Sequence, residues 1–80
     1  MRRNDLKRRV LGSMDGRGWM SPTSVAVLVG MYPTRGMYGY LKRLNRWGLL
    51  DRHCDARGLV IYRLSQRGSD RLAWLNRVET

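Results

Sequence analysis

Apolar residues recur at helical spacing in three stretches of this chain, and in a fourth they form a continuous strand-like run. Leu6, Val10, Leu11 and Met14, with Lys7, Arg8 and Arg9 among them, predict a first helix. Met1–Asn4 reads as a loose arm before it, with Asn4 or Asp5 as the cap. The run Asp15-Gly16-Arg17-Gly18 favours a turn, and Trp19-Met20 predicts a very short extended piece. Ser21-Pro22 is a helix start. The hydroxyl accepts an orphan amide hydrogen bond, and proline in the first turn loses nothing by lacking its own. The second helix is placed at Thr23–Val29. Its β-branched Val25, Val27 and Val29 also suit a strand, and the cap and Gly30 tip the balance to helix.

After the connection Gly30-Met31-Tyr32-Pro33, Thr34 is positioned to cap a third helix over about 35–47. Its inward stripe is Met37, Leu41, Leu44 and Trp47, and Gly48 is its stop. Gly36 and Gly39 each cost that helix roughly 0.5–1 kcal/mol against alanine. They either permit a close approach, to the second helix or to a ligand backbone, or are tolerated because core contacts hold the helix. Leu49–Cys54 and Leu59–Leu64 predict a hairpin, turned at Asp55–Gly58. Ser65 caps a last helix whose stripe is Gly68, Leu72, Leu75 and Val78. The expectation is one domain over residues 1–80, mainly α with a small β-hairpin, in the order α-α-α-β-β-α.

Charge changes the picture more than composition does. The formal net charge is +10, and every basic residue except Lys7 and Lys42 is arginine. Residues 21–50 hold Arg35, Lys42, Arg43 and Arg46 and no acidic residue, so an anionic partner meets no repulsion there. Arginine matches phosphates and guanine edges bidentately. Two helices joined by a short turn, the second basic and followed by a hairpin, form a helix-turn-helix with a wing. With Met37, Leu41 and Leu44 facing the core, Arg35, Tyr38, Gly39, Lys42 and Arg46 face outward and Arg43 lies at the boundary.

First-turn side chains reach base edges most readily, which gives Arg35 and Tyr38 reading roles; Lys42, Arg43 and Arg46 suit phosphates. Thr34 either caps or contacts DNA. Ser21, Thr23 and Ser24 surround the second helix's N-terminus, a phosphate-favouring position. Arg57 at the wing tip reaches a minor groove or phosphate, or is a solvated turn residue. Tyr32 and Tyr40 fit either phosphate contact or packing, with packing favoured for Tyr40.

The stretch from Gly36 to Arg52 resembles the recognition helix and first wing strand of winged helix-turn-helix regulators of bacteria and archaea (the ArsR-like, MarR-like and PadR-like groups). Leu41, Leu44, Gly48 and Leu49 match the leucine, leucine and glycine-leucine positions of that pattern. Arg57-Gly58, Tyr62-Arg63-Leu64-Ser65 and Gly68 look like the wing tip, second wing strand and following helix start. The resemblance covers roughly residues 5–78. It implies a DNA-binding transcriptional regulator, a homodimer reading a near-palindromic operator, with Arg35, Tyr38 and Lys42 in the major groove and Arg57 at the wing. Tyr38 departs from the small hydroxyl residue common at its position, and glycines 36 and 39 are atypical. The paired-cysteine motif of the metal-sensing ArsR-like proteins is absent.

The remaining chemistry points away from catalysis. His53 and Cys54 are the lone histidine and cysteine, and neighbours in a strand face opposite sides, so no metal site or Cys-His nucleophile is expected. No phosphate-binding glycine loop and no paired acids occur, and neither an enzyme nor a cofactor is expected. A single cysteine fits a reducing, cytoplasmic setting. No apolar run is long enough to span a membrane, and no signal peptide or separate effector domain is expected. Leu6, Val10, Leu72, Leu75 and Val78 hold more apolar surface than so small a core readily absorbs. That predicts a homodimer through the first and last helices. Two alternatives to double-stranded DNA binding remain open: a protein-interaction module that uses Trp19, Trp47 and Trp74, and RNA binding.

Overall fold

Helix α1 spans Arg3–Met14, so Arg3 and Asn4 are helical rather than a loose arm, and neither Asn4 nor Asp5 is the N-cap. Asp5 lies in the first turn, where its charge complements the helix dipole, and pairs with Arg8 at 3.8 Å. This computed structural model describes residues 3–30 and 35–78. Helix α2 covers Pro22–Val29, and the Ser21 hydroxyl accepts from the Ser24 amide at 3.1 Å. Gly30 closes α2 in the left-handed conformation (φ 70°). The strand alternative for the valines loses because cap, proline and glycine all act on the backbone of one short segment. Arg9 donates to the Val29 carbonyl at 2.7 Å and so satisfies one orphan acceptor at the α2 C-terminus.

Helix α3 spans Arg35–Arg46 and stops one residue before Trp47. Its end is a Schellman motif: Leu49 N–H donates to Leu44 O at 3.0 Å and Gly48 N–H to Asn45 O at 2.9 Å, with Gly48 at φ 80°. The buried Leu44 and Leu49 supply the apolar contact of that motif. Strands β1 (Leu50–Cys54) and β2 (Val60–Leu64) pair antiparallel, with Leu50 opposite Leu64 and Arg52 opposite Tyr62. Each begins one residue later than predicted. Leu49 belongs to the helix stop and Leu59 to the turn. Met20 adds the expected extended piece, exchanging two backbone hydrogen bonds with Tyr62 at 2.7 and 2.8 Å.

Helix α4 covers Gln66–Val78. The Ser65 hydroxyl accepts from the Gly68 amide at 2.9 Å and donates to the Gly48 carbonyl at 2.6 Å. One side chain therefore caps α4 and ties it to the end of α3.

Helix α1 packs on α2 and α4, and α2 on α3. The buried side chains form one cluster drawn from every element. Val10, Leu72 and Leu75 lie inside it, which corrects the ground given for a dimer seam: the shared core absorbs their apolar surface. Val78 and Trp74 stay exposed, and Trp47, expected on the inward stripe, is 44 % exposed. It follows the last helical residue, where the chain has already turned away from the core. No helix among the described residues is long and apolar enough to cross a membrane.

Candidate nucleic-acid interface

Met37, Leu41 and Leu44 are fully buried, and this register turns Tyr38, Gly39 and Lys42 outward. They form one wall of an open groove of about 510 Å³. Ser21, Pro22 and Thr23 at the start of α2 form the near end. Arg52 of β1 with Gly58, Leu59, Val60 and Tyr62 of the hairpin form the opposite wall. The lining holds two cations, Lys42 and Arg52, and no carboxylate. A Cβ on Gly39 would meet nothing within 4 Å, so this stretch of the helix is bare backbone open to a ligand. Gly36 is equally open, and neither glycine serves packing against α2.

Of the residues singled out from sequence, the groove brings together Ser21, Thr23, Tyr38 and Lys42. Tyr38 is 53 % exposed. Ser24 is not part of the lining; its hydroxyl accepts from that of Ser21 at 3.0 Å. Arg43 lies on the flank of α3 next to Tyr40, and Arg46 opens onto a separate depression with Lys7 and Trp47. Arg57 is exposed at the wing tip beside the groove. Thr34 and Tyr32 lie outside the described residues. Arg35 opens α3 by its backbone, and its side chain is outside the described set.

The wing is held by Asp55. Its carboxylate accepts from the amides of Arg57 at 2.8 Å and Leu59 at 2.9 Å, and Gly58 supplies the positive φ of 84° that closes the loop. Asp55 is thus a turn former whose charge is spent on backbone amides. On the outer face Asp51 pairs with Arg63 at 3.1 Å, Arg63 stacks over Trp19 at 4.6 Å, and Trp19 meets His53 at 5.4 Å. His53 is therefore turned to the face away from Cys54, which is exposed. Among the described residues no group of three His, Cys, Asp or Glu side chains can hold a metal ion.

Two contributors escaped the sequence reading. Arg52 shares the β1 face of the buried Leu50, and strand alternation from Leu50 is the signal that would have found it. Asn45 donates from Nδ2 to the Leu50 carbonyl at 2.8 Å, fixing the start of the wing to α3.

Tyr40 packs against the core, and its hydroxyl is buried without a hydrogen-bond partner in the described structure. Burial pushes its pKa up, partly offset by Arg43. The fold thus favours the neutral phenol. That contribution is fully present below the unfolded value of about 10 and is lost as pH rises through the higher folded value. Tyr40→Phe is expected to gain about 1 kcal/mol at neutral pH by removing an unsatisfied group. It should also flatten the alkaline loss of stability. Urea unfolding midpoints at neutral and strongly alkaline pH check both.

No family model matches the sequence, and no curated protein matches it. Solved structures do. A MarR family transcriptional regulator from Silicibacter pomeroyi DSS-3 is 27% identical, with a TM-score of 0.74, over 91% of this chain and 52% of that one. The YusO protein from Bacillus subtilis superposes with a TM-score of 0.79 at 15% identity, over 89% of this chain and 51% of that one. The oxidized form of MarR from E. coli gives 0.76 at 18% identity, over 90% and 52%. The chain spans about half the length of these three structures. It has their winged helix-turn-helix fold.

Proposed function

We propose that this chain, built on the winged helix-turn-helix fold of MarR-family regulators, binds double-stranded DNA as a transcriptional regulator. The observation that carries the reading is the acid-free groove in which α3, the α2 N-terminus and the hairpin converge. An α-helix fits the major groove of B-form DNA, and side chains flanking it then meet the phosphates on either side. Arg35, Tyr38 and Lys42 take the base-facing positions. Ser21 and Thr23, with the α2 amides, receive one strand's backbone; Ser24, with its hydroxyl already engaged, and Thr34 play lesser parts there. Arg43 and Arg46 serve the far side, Arg52 the strand beneath the wing, and Arg57 the neighbouring minor groove or phosphate.

The active form is taken to be a homodimer in the cytoplasm. With Val10, Leu72 and Leu75 committed to the core, its seam falls on the exposed Trp74 and Val78 of α4 and the partly buried Leu6 of α1. Sedimentation at about 100 μM, where any dimer tighter than micromolar is fully formed, should give the dimer mass; a monomer there overturns the assembly.

A mobility shift on mixed duplex DNA at low and moderate salt tests the main reading. Salt-sensitive binding is expected, and its absence rejects it. Preference for structured RNA over duplex also rejects it. Arg35→Ala should relax base preference, whereas Arg46→Ala should weaken all sequences alike. Gly39→Ala separates stability from binding. It should stabilise α3 by about 0.5–1 kcal/mol and yet weaken duplex binding severalfold, because the new methyl occupies the approach of the DNA. Gly36→Ala, outside the groove, should leave binding unchanged. Thermal melts and fluorescence anisotropy read the two effects.

A further inference from the structure

Among the described residues Tyr38 is the one large apolar side chain that α3 leaves exposed. It lies outside the core cluster, and among the described residues its phenol has no hydrogen-bond or ring partner. Its neighbours along the helix do not shield it. Gly39 has open space where a side chain would stand, and so has Gly36. The next outward side chain that α3 gives to the groove is Lys42, one turn on. The phenol therefore projects from bare backbone, and a base pair brought against that backbone meets the flank of the ring.

The apolar lining of the groove falls on two walls. Leu59 and Val60 stand on the wing side, over the strand beneath the wing, where the apolar surface on offer is deoxyribose. Tyr38 stands on the helix that enters the major groove. There the base edges carry one apolar group, the C5 methyl of thymine, among hydrogen-bond donors and acceptors. The Tyr38 hydroxyl discriminates poorly, because a phenol both donates and accepts and so suits either kind of edge. The ring discriminates well. Against a methyl it buries apolar surface. Against a cytosine amino group or a purine N7 it strips water from a polar atom and returns no hydrogen bond.

We propose that Tyr38 packs its ring on thymine methyl groups and so makes thymine the preferred base opposite the first half of α3. The inference rests on the duplex-binding reading of the groove and goes beyond it in naming the base. Gly39 and Gly36 serve the same contact, since side chains there would hold the ring off the base edges.

The test compares an alternating dA-dT duplex with its dA-dU counterpart. Uracil lacks the methyl and keeps the pairing and every hydrogen-bonding group of the groove. Fluorescence anisotropy with the full chain is run at low salt, where phosphate contacts keep weakened variants measurable. Wild type should bind the dA-dT duplex about fourfold more tightly, the worth of one buried methyl-sized group. Tyr38→Ala should bind both duplexes alike. Tyr38→Phe, which keeps the ring, should keep the preference. Position 38 is exposed, alanine favours a helix, and circular dichroism verifies the fold. Three results overturn the proposal. The first is equal affinity of wild type for the two duplexes. The second is an undiminished preference in Tyr38→Ala, which assigns the methyl effect to another residue or to duplex shape. The third is loss of the preference in Tyr38→Phe, which assigns it to the hydroxyl. Each of these leaves the duplex-binding reading intact. Wild type that binds neither duplex overturns both.

Discussion

Replacing Lys42 with glutamate is expected to lower duplex affinity by roughly two orders of magnitude at low salt. A well-placed cation–base or cation–phosphate contact is worth about 1–3 kcal/mol, and the reversed charge adds repulsion. Lys42 stands mid-groove, with Gly39 one turn before it and Arg52 on the facing wall, and among the described residues it is the cation that α3 gives to the groove lining. The variant should fold normally because Lys42 is exposed and supports no core contact. Fluorescence anisotropy across a salt series checks the expectation. The log–log slope should fall in magnitude by about 1 or more. An unchanged affinity would mean that DNA, if bound, is held elsewhere, and the groove would lose its assignment.

The largest effect on stability is expected at Gly68. A Cβ there would overlap the Leu49 carbonyl oxygen and stand 2.9 Å from Leu64 Cδ1 and 3.0 Å from the Leu49 carbonyl carbon. The leucine tip can rotate away, but the backbone cannot. That carbonyl also accepts from the Ser65 amide at 3.1 Å. Relief therefore demands that α4 lift off the junction between α3 and β1. Gly68→Ala should cost about 3 kcal/mol, the upper end of overpacking, and so lower Tm by more than about 10 °C in a domain of this size. Calorimetry would show it. A melting temperature within a degree or two of wild type would mean that the α4–β1 contact is looser than these distances imply. Helix propensity alone ranks alanine above glycine, so the sign of this change separates packing from propensity.

The elements were legible because their signals are short-range. Ser21-Pro22 with Gly30 brackets α2, Gly48 with Leu44 and Leu49 stops α3, and Asp55 with Gly58 turns the hairpin. Each acts through hydrogen bonds within a few residues, so the backbone geometry follows from local chemistry. The errors lie at boundaries and at the seam. Helix α1 starts at Arg3 because helix propensity extends past the capping residues, and Leu49 leaves the strand because the helix stop uses its amide. The expected dimer surface shrank because Val10, Leu72 and Leu75 are buried in the shared core cluster, a packing that periodicity does not reveal.

The candidate site was half legible. The stripe Met37–Leu41–Leu44 sets which way Tyr38 and Lys42 point, so those two followed from spacing. For Arg52, strand alternation gives the face it shares with Leu50, but whether that face meets a helix depends on the hairpin's lean.

From the order of residues alone come the order of elements, the sign and placement of the charge, and the outward side of α3, since each depends on neighbours in the chain. Which distant groups share a space was left to packing. Ser21, Lys42, Arg52 and Leu59 line one groove, while Lys7, Arg46, Arg67 and Arg71 line another. Those meetings depend on the angles at which helices and hairpin settle on a shared core, and no local signal encodes such angles.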